Sequence, residues 1–132
     1  MRWLDRGIKW IMLVSGTLTF TMIYAAFSPE AALASAFGEA LQGPIANIVV
    51  RNWGALIALV GAMLIYGAFR PAVRNLVLTV AGLSKVTFIT LVLTSGRQYL
   101  GHQVGVSVVV DSIMVLLFAA YLAWGSRERP AA

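Results

Sequence analysis

The chain has 132 residues, 60% of them hydrophobic and 11% charged, with a mean hydropathy of +0.85. Soluble domains carry roughly 25% charged residues, so this composition leaves no material for a water-facing surface except at the ends. The net charge of +5 does not point to nucleic acid, because the basic residues are split among short loops with no stripe and no aromatic interleaving; cysteine is absent, which removes disulfides, thiolate chemistry and Cys-ligated metals.

Four apolar segments, about 7–27, 45–69, 72–95 and 103–124, each approach the ~20 residues needed to cross a bilayer. They use nearly the whole length, so residues 1–132 read as one transmembrane domain: an all-α, integral-membrane four-helix bundle with a short interfacial helix between spans one and two. In the first segment Arg2, Arg6 and Lys9 precede the apolar run, as in a secretory signal. Its length, its Thr17, Thr19 and Thr21, and the poor cleavage sequence Ala26-Phe27-Ser28 favour a retained span. Thr17, Thr21, Tyr24 and Ser28 share one helical face, and Thr21 is expected near the level of Lys85.

The connection from Ser28 to Gly43 carries helix signals. Ser28 can cap, Pro29 suits the first helical position, and Glu30 complements the dipole there. Leu33, Phe37 and Leu41 recur every four residues, which predicts a helix lying in the interface and stopped at Gly43-Pro44. It is a connector shielding the bundle mouth, or a lid or partner-docking element.

Span two begins at Ile45 or at Trp53. Gly54, Gly61 and Ala68 recur at seven-residue intervals beside Ala58, a pattern that lets helix backbones approach. That face packs within the chain or against another copy. Pro71 marks a tight turn into span three, where Ser84, Thr87, Thr90 and Thr94 form a second hydroxyl row.

Span three also holds Lys85, and span four holds Asp111 and Ser112. A lone charge in hydrocarbon costs several kcal/mol, so such residues face a protein interior and have partners. Each lies about 13 residues from the middle of the loop Gly96–Gly101, which sets both at one depth of an antiparallel hairpin. An intramembrane ion pair between them is expected, serving to hold register, to couple protons or ions, or, with Arg97 and Arg51, to bind an anionic amphiphile. Above it, Arg51, Asn52, Arg97, Gln98, His102 and Gln103 form an expected outer polar layer that Glu39 would cover, over an almost purely apolar inner half.

Orientation follows from Lys and Arg. Arg2, Arg6, Lys9, Arg70, Arg74, Arg127 and Arg129 fall on one side, and Arg51 and Arg97 on the other, which predicts both termini in the cytoplasm. Trp53 and Tyr99 would mark the outer face, and Trp3, Trp10 and Trp124 the inner. The expected setting is a bacterial inner membrane.

A single histidine with Asp111 and Glu39 makes a poor transition-metal site. Nucleophilic triads, phosphate loops and paired carboxylates are missing, so no catalytic residue, metal or cofactor is assigned. Small size and sparse chemistry favour a non-catalytic accessory or scaffold subunit, with other membrane subunits or further copies of itself as partners besides the bilayer. The alternatives are a homo-oligomeric ion- or proton-coupled transporter or channel using Lys85 and Asp111, and a lipid or amphiphile binder with an outward-facing polar cavity.

Overall fold

The computed structural model describes residues 2–39 and 41–128, with side chains described over 6–39 and 41–124. The described residues form helices and connections: α1 (Arg2–Phe20), a 3-10 turn (Thr21–Ile23), α2 (Tyr24–Phe27), α3 (Pro29–Phe37), α4 (Pro44–Phe69), α5 (Pro71–Ser95), a second 3-10 turn (Arg97–Tyr99) and α6 (Gln103–Glu128). Four stretches are long and apolar enough to cross a membrane: Arg6–Phe27, Pro44–Phe69, Pro71–Ser95 and Gln103–Trp124. The chain is an all-α, multi-pass four-helix membrane bundle. Four spans bring both ends of the chain to one side, here called the terminal end; α3 and the connection after α5 lie at the other, the loop end.

Proline starts three helices. Pro29, Pro44 and Pro71 each occupy the first turn of α3, α4 and α5, where the missing N–H is not needed. Span two therefore begins at Pro44, and the helix before it ends earlier than its apolar repeat implies. Gly38 closes α3 in the left-handed conformation (φ 78°), leaving Leu41 beyond the helix. Between α4 and α5 a single residue, Arg70, breaks the helix, because the following proline drives it to an extended conformation (φ −129°, ψ 85°).

That abrupt turn leaves carbonyls at the end of α4 without helical partners. Arg74, counted from sequence only as a topology charge, satisfies them: its Nε donates to the Gly67 carbonyl at 3.2 Å and its Nη2 to that of Ala68 at 2.7 Å. The guanidinium is buried there. Nearby, Lys9 sits over the Phe69 ring (4.9 Å) and Arg70 over Tyr66 (5.8 Å), so basic groups at this end rest on aromatic faces. The side chains of Arg2, Trp3 and Arg127, and Arg129 altogether, lie outside the described residues.

Spans one and two meet most closely. A Cβ added at Gly61 would lie 2.5 Å from the Phe20 backbone nitrogen and 2.7 Å from the Gly16 carbonyl oxygen. One at Gly54 would lie 2.6 Å from the Ala25 methyl and 2.9 Å from the Met22 carbonyl. Ala58 and Ala68 are buried on the same side of α4. The small-residue face of span two is thus used inside the chain, against span one. The 3-10 turn at Thr21–Ile23 falls where Gly54 approaches, so span one tightens beside its closest neighbour.

The core has two parts. At the terminal end Ile8, Met12, Leu64, Leu78, Phe118 and Tyr121 pack into one cluster from all four spans. At the loop end a smaller cluster of Val92, Val104 and Val108 is covered by Ala36 and Phe37 of α3. α3 buries Pro29, Ala32 and Leu33 against the bundle and so packs across its loop end. Phe37 packs edge-on to Tyr99 with ring centroids 5.2 Å apart, and Gly38 sits so close to His102 that an added Cβ would lie 2.5 Å from the ring.

The backbone approach at Gly61 has a measurable consequence. Gly61→Ala is expected to destabilise the bundle by about 1–3 kcal/mol, since backbone atoms of span one must move. Gly82→Ala meets nothing within 4 Å and is expected to be neutral or slightly stabilising. Unfolding in mixed micelles by SDS titration checks both; equal midpoints would contradict the close packing.

Candidate functional site

Between the two clusters lies a cavity of about 290 Å³. Its wall comes from span one (Leu18, Thr19, Thr21, Met22, Tyr24), α3 (Ala32, Ala36), span two (Trp53, Ile57, Val60), span three (Ser84, Lys85, Phe88) and span four (Gln103 to Met114). Small residues explain the space. Ala32, Ala36, Ser84 and Ser107 stand where the terminal half has Met12, Leu64, Leu78 and Phe118.

Lys85 and Asp111 meet on the cavity wall. Lys85 Nζ donates to Asp111 Oδ1 at 2.9 Å, with side chains 7% and 19% exposed. It also donates to Thr19 Oγ1 at 3.2 Å. One ammonium thus ties spans one, three and four. The three residues share a depth, each about 8–10 residues, or ~12–15 Å, from the loop-end terminus of its span. An ammonium has three donors and a carboxylate two acceptor oxygens. Among the described residues one Lys85 N–H and Asp111 Oδ2 make no further hydrogen bond, nor do the hydroxyls of Ser84 and Ser107.

Thr19 is the contact that sequence reasoning missed. The hydroxyl row Thr17, Thr21, Tyr24, Ser28 singled out the wrong edge of span one. Thr17 is exposed and donates to its own helix at the Leu13 carbonyl (2.7 Å), while Thr21 and Tyr24 line the cavity rim. The buried row is Ile8, Met12, Ser15 and Thr19, at steps of four, three and four. That spacing was a usable signal, because it joins two hydroxyls to the apolar face and not to the polar one. In span three Ser84 and Lys85 reach the cavity, whereas Thr87 and Thr94 are exposed and donate to their own helix at Leu83 and Thr90.

The outer polar layer does not converge above the pair. Arg51 is exposed and donates to Asn47 Oδ1 (2.5 Å) and to the Ala26 carbonyl (2.9 Å), which ties span two to the end of span one. Arg97 donates back to the Leu93 carbonyl near the end of α5 (2.8 Å), and Ser112 to that of Val108 in its own helix (2.7 Å). Asn52, Gln98, His102 and Glu39 are exposed, and of this layer Gln103 lines the cavity. Trp53, expected at the outer belt, instead lines the cavity, about 13 Å into a span that starts at Pro44. Trp10 and Trp124 are exposed on the terminal half.

The large apolar cluster lies below the cavity towards the terminal end, and α3 lies over it towards the loop end, where exposed Gln103 is part of its wall. A second space lies beside it. An apolar groove of about 390 Å³ runs between spans one and four, lined by Trp10, Ile11, Val14, Val110, Ile113 and Leu117. Leu18, Val110 and Met114 belong to both spaces. Among the described residues no group of three His, Cys, Asp or Glu gathers as metal ligands would. Comparison of the chain with protein-family models, curated proteins and solved structures found no match.

Removing either partner of the buried pair strands the other charge. Lys85→Ala and Asp111→Ala are each expected to cost ~3–5 kcal/mol, and the double variant much less than their sum. In the same SDS titration Thr19→Val should lose about 1 kcal/mol or less and Thr17→Val nothing measurable. Additive effects of the first two, or equal effects of the threonines, would contradict the three-span clasp.

Proposed function

We propose that this protein is a membrane-embedded binding protein for an amphiphile, which enters sideways from the bilayer and presents its polar head to Lys85 and Asp111. The observation that carries this role is the adjacency of the cavity holding Lys85 and Asp111 to the apolar groove between spans one and four, with Leu18, Val110 and Met114 in the walls of both. Mostly apolar pockets with a few convergent polar groups are the usual form of small-molecule sites. The volume of about 290 Å³ sits at the low end of such pockets, enough for a head group and too small for a diacyl phospholipid.

Two rival roles fit less of the geometry. Transport through a single copy would need a path across the layer of Met12, Leu64, Leu78 and Phe118, all fully buried. An accessory-subunit role is compatible with the cavity and draws support from the outward face of α5, where Thr79, Leu83, Thr87, Thr90 and Thr94 are all exposed. The cavity nonetheless supplies chemistry that a pure scaffold does not require.

Protein extracted in mild detergent is expected to retain one amphiphile per chain in native mass spectrometry. Filling the cavity with Ser107→Phe should abolish retention, and the exposed control Ser95→Phe should not. Wild-type protein that carries no amphiphile but co-migrates with other polypeptides would favour the subunit role.

The charge asymmetry supports an orientation with both termini in the cytoplasm of a bacterial inner membrane, and α3 with the cavity on the outer side. The chain has no native cysteine, so single cysteines report cleanly. An impermeant maleimide applied to intact cells is expected to label S35C on α3 and to leave A72C, at the turn between spans two and three, unlabelled. The reverse pattern would invert the topology.

A further inference from the structure

We infer that the cavity selects an uncharged head group, one carrying both a hydroxyl donor and an oxygen acceptor, on a single hydrocarbon chain; this builds on the amphiphile-binding role proposed above. The charged residues lining the cavity are Lys85 and Asp111, and they already neutralise each other at 2.9 Å. A phosphate or carboxylate entering there meets no net positive charge. An anion accepting the free Lys85 N–H would lie against the Asp111 carboxylate, two like charges in apolar surroundings. A cationic head at the free Asp111 oxygen would face the ammonium in the same way.

What the pair does offer is one free ammonium N–H and one free carboxylate oxygen, a donor and an acceptor side by side. A neutral hydroxylated head can engage both without disturbing the ion pair. Ser84 and Ser107 add hydroxyls to the same wall, and Trp53, Phe88 and Tyr24 give aromatic faces for its carbon skeleton. The arginines that would attract an anion lie outside the cavity wall and are exposed. Arg51 holds the Ala26 carbonyl and Asn47, and Arg97 holds Leu93.

The single chain follows from the groove. Between Trp10 and Leu18 span one offers ~12 Å of apolar wall facing span four, beside the cavity and sharing Leu18 with it. A monoacylglycerol is the simplest lipid with this head and this tail.

The test uses fluorescence quenching. A variant with Trp3→Phe and Trp124→Phe keeps Trp53 in the cavity wall as its reporter and leaves Trp10, which lines the groove, in place as a constant background. A monoacylglycerol brominated near its carbonyl is expected to quench Trp53. Unbrominated monoacylglycerol and long-chain alcohol should displace it at concentrations at least about tenfold lower than a fatty acid or lysophosphatidylglycerol of the same chain length. The same competition, followed by native mass spectrometry on the unsubstituted protein, guards against a folding defect in the reporter variant. Anionic competitors that displace the probe as well as neutral ones would overturn the uncharged-head assignment and leave the amphiphile role standing. Failure of every brominated amphiphile, neutral or anionic, to quench Trp53 would overturn both.

Discussion

A primary ammonium in the middle of a bilayer-spanning bundle is the constraint around which this molecule is arranged. Hydrocarbon offers Lys85 nothing to bond, so the fold must bring partners to it. It does so from two other spans, Asp111 from span four and Thr19 from span one. In lipid, apolar surfaces have little preference for each other over acyl chains, and specific polar contacts and close backbone packing decide which helices associate. The clasp fixes the rotation of three helices at once. A helix turned by one residue moves its side chains about 100° and takes its member out of reach.

The second span is held by a different device. It carries no charge at the level of the clasp and meets span one through glycine and alanine, with Gly16 and Gly61 backbone to backbone and Gly54 against the turn at Met22 to Ala25. Polar groups secure its two ends. Arg51 reaches the Ala26 carbonyl of span one near the loop end, and Arg74 caps span two near the terminal end. Each of these guanidiniums satisfies backbone oxygens that helix geometry leaves without partners. Basic residues in short loops therefore serve the fold directly as well as marking topology.

Packing is unequal along the bundle, and the inequality makes the site. Large residues fill the terminal half, whereas alanines and serines leave room around Trp53 and Phe88 nearer the loop end. The short helix α3, between spans one and two, packs over that room, held by Phe37 against Tyr99 and by the close seat of Gly38 on His102. The flank between spans one and four carries the apolar groove that shares Leu18, Val110 and Met114 with this room. In the proposed role a polar head would rest against Lys85 and Asp111 and its tail along that groove.

Much of this was legible in the chain. Runs of about twenty apolar residues identify spans because backbone bonding leaves hydrocarbon few other solutions. The pairing of Lys85 with Asp111 could be anticipated because equal distance from a hairpin loop means equal depth, a one-dimensional property. What needed three dimensions was rotation and termination. Which hydroxyl of span one faces Lys85, Thr19 or Thr21, depends on how the helix is turned about its axis. That turn is set by glycine contacts with span two, far away in sequence. Likewise Arg51, Arg97 and Ser112 were assigned to a polar chamber by depth, but their bonds go to nearby backbone. Composition and spacing thus determined how many helices cross and which residues lie level. Only the tertiary structure decided which of those level residues point at one another, because depth is counted along the chain and direction is imposed by neighbours.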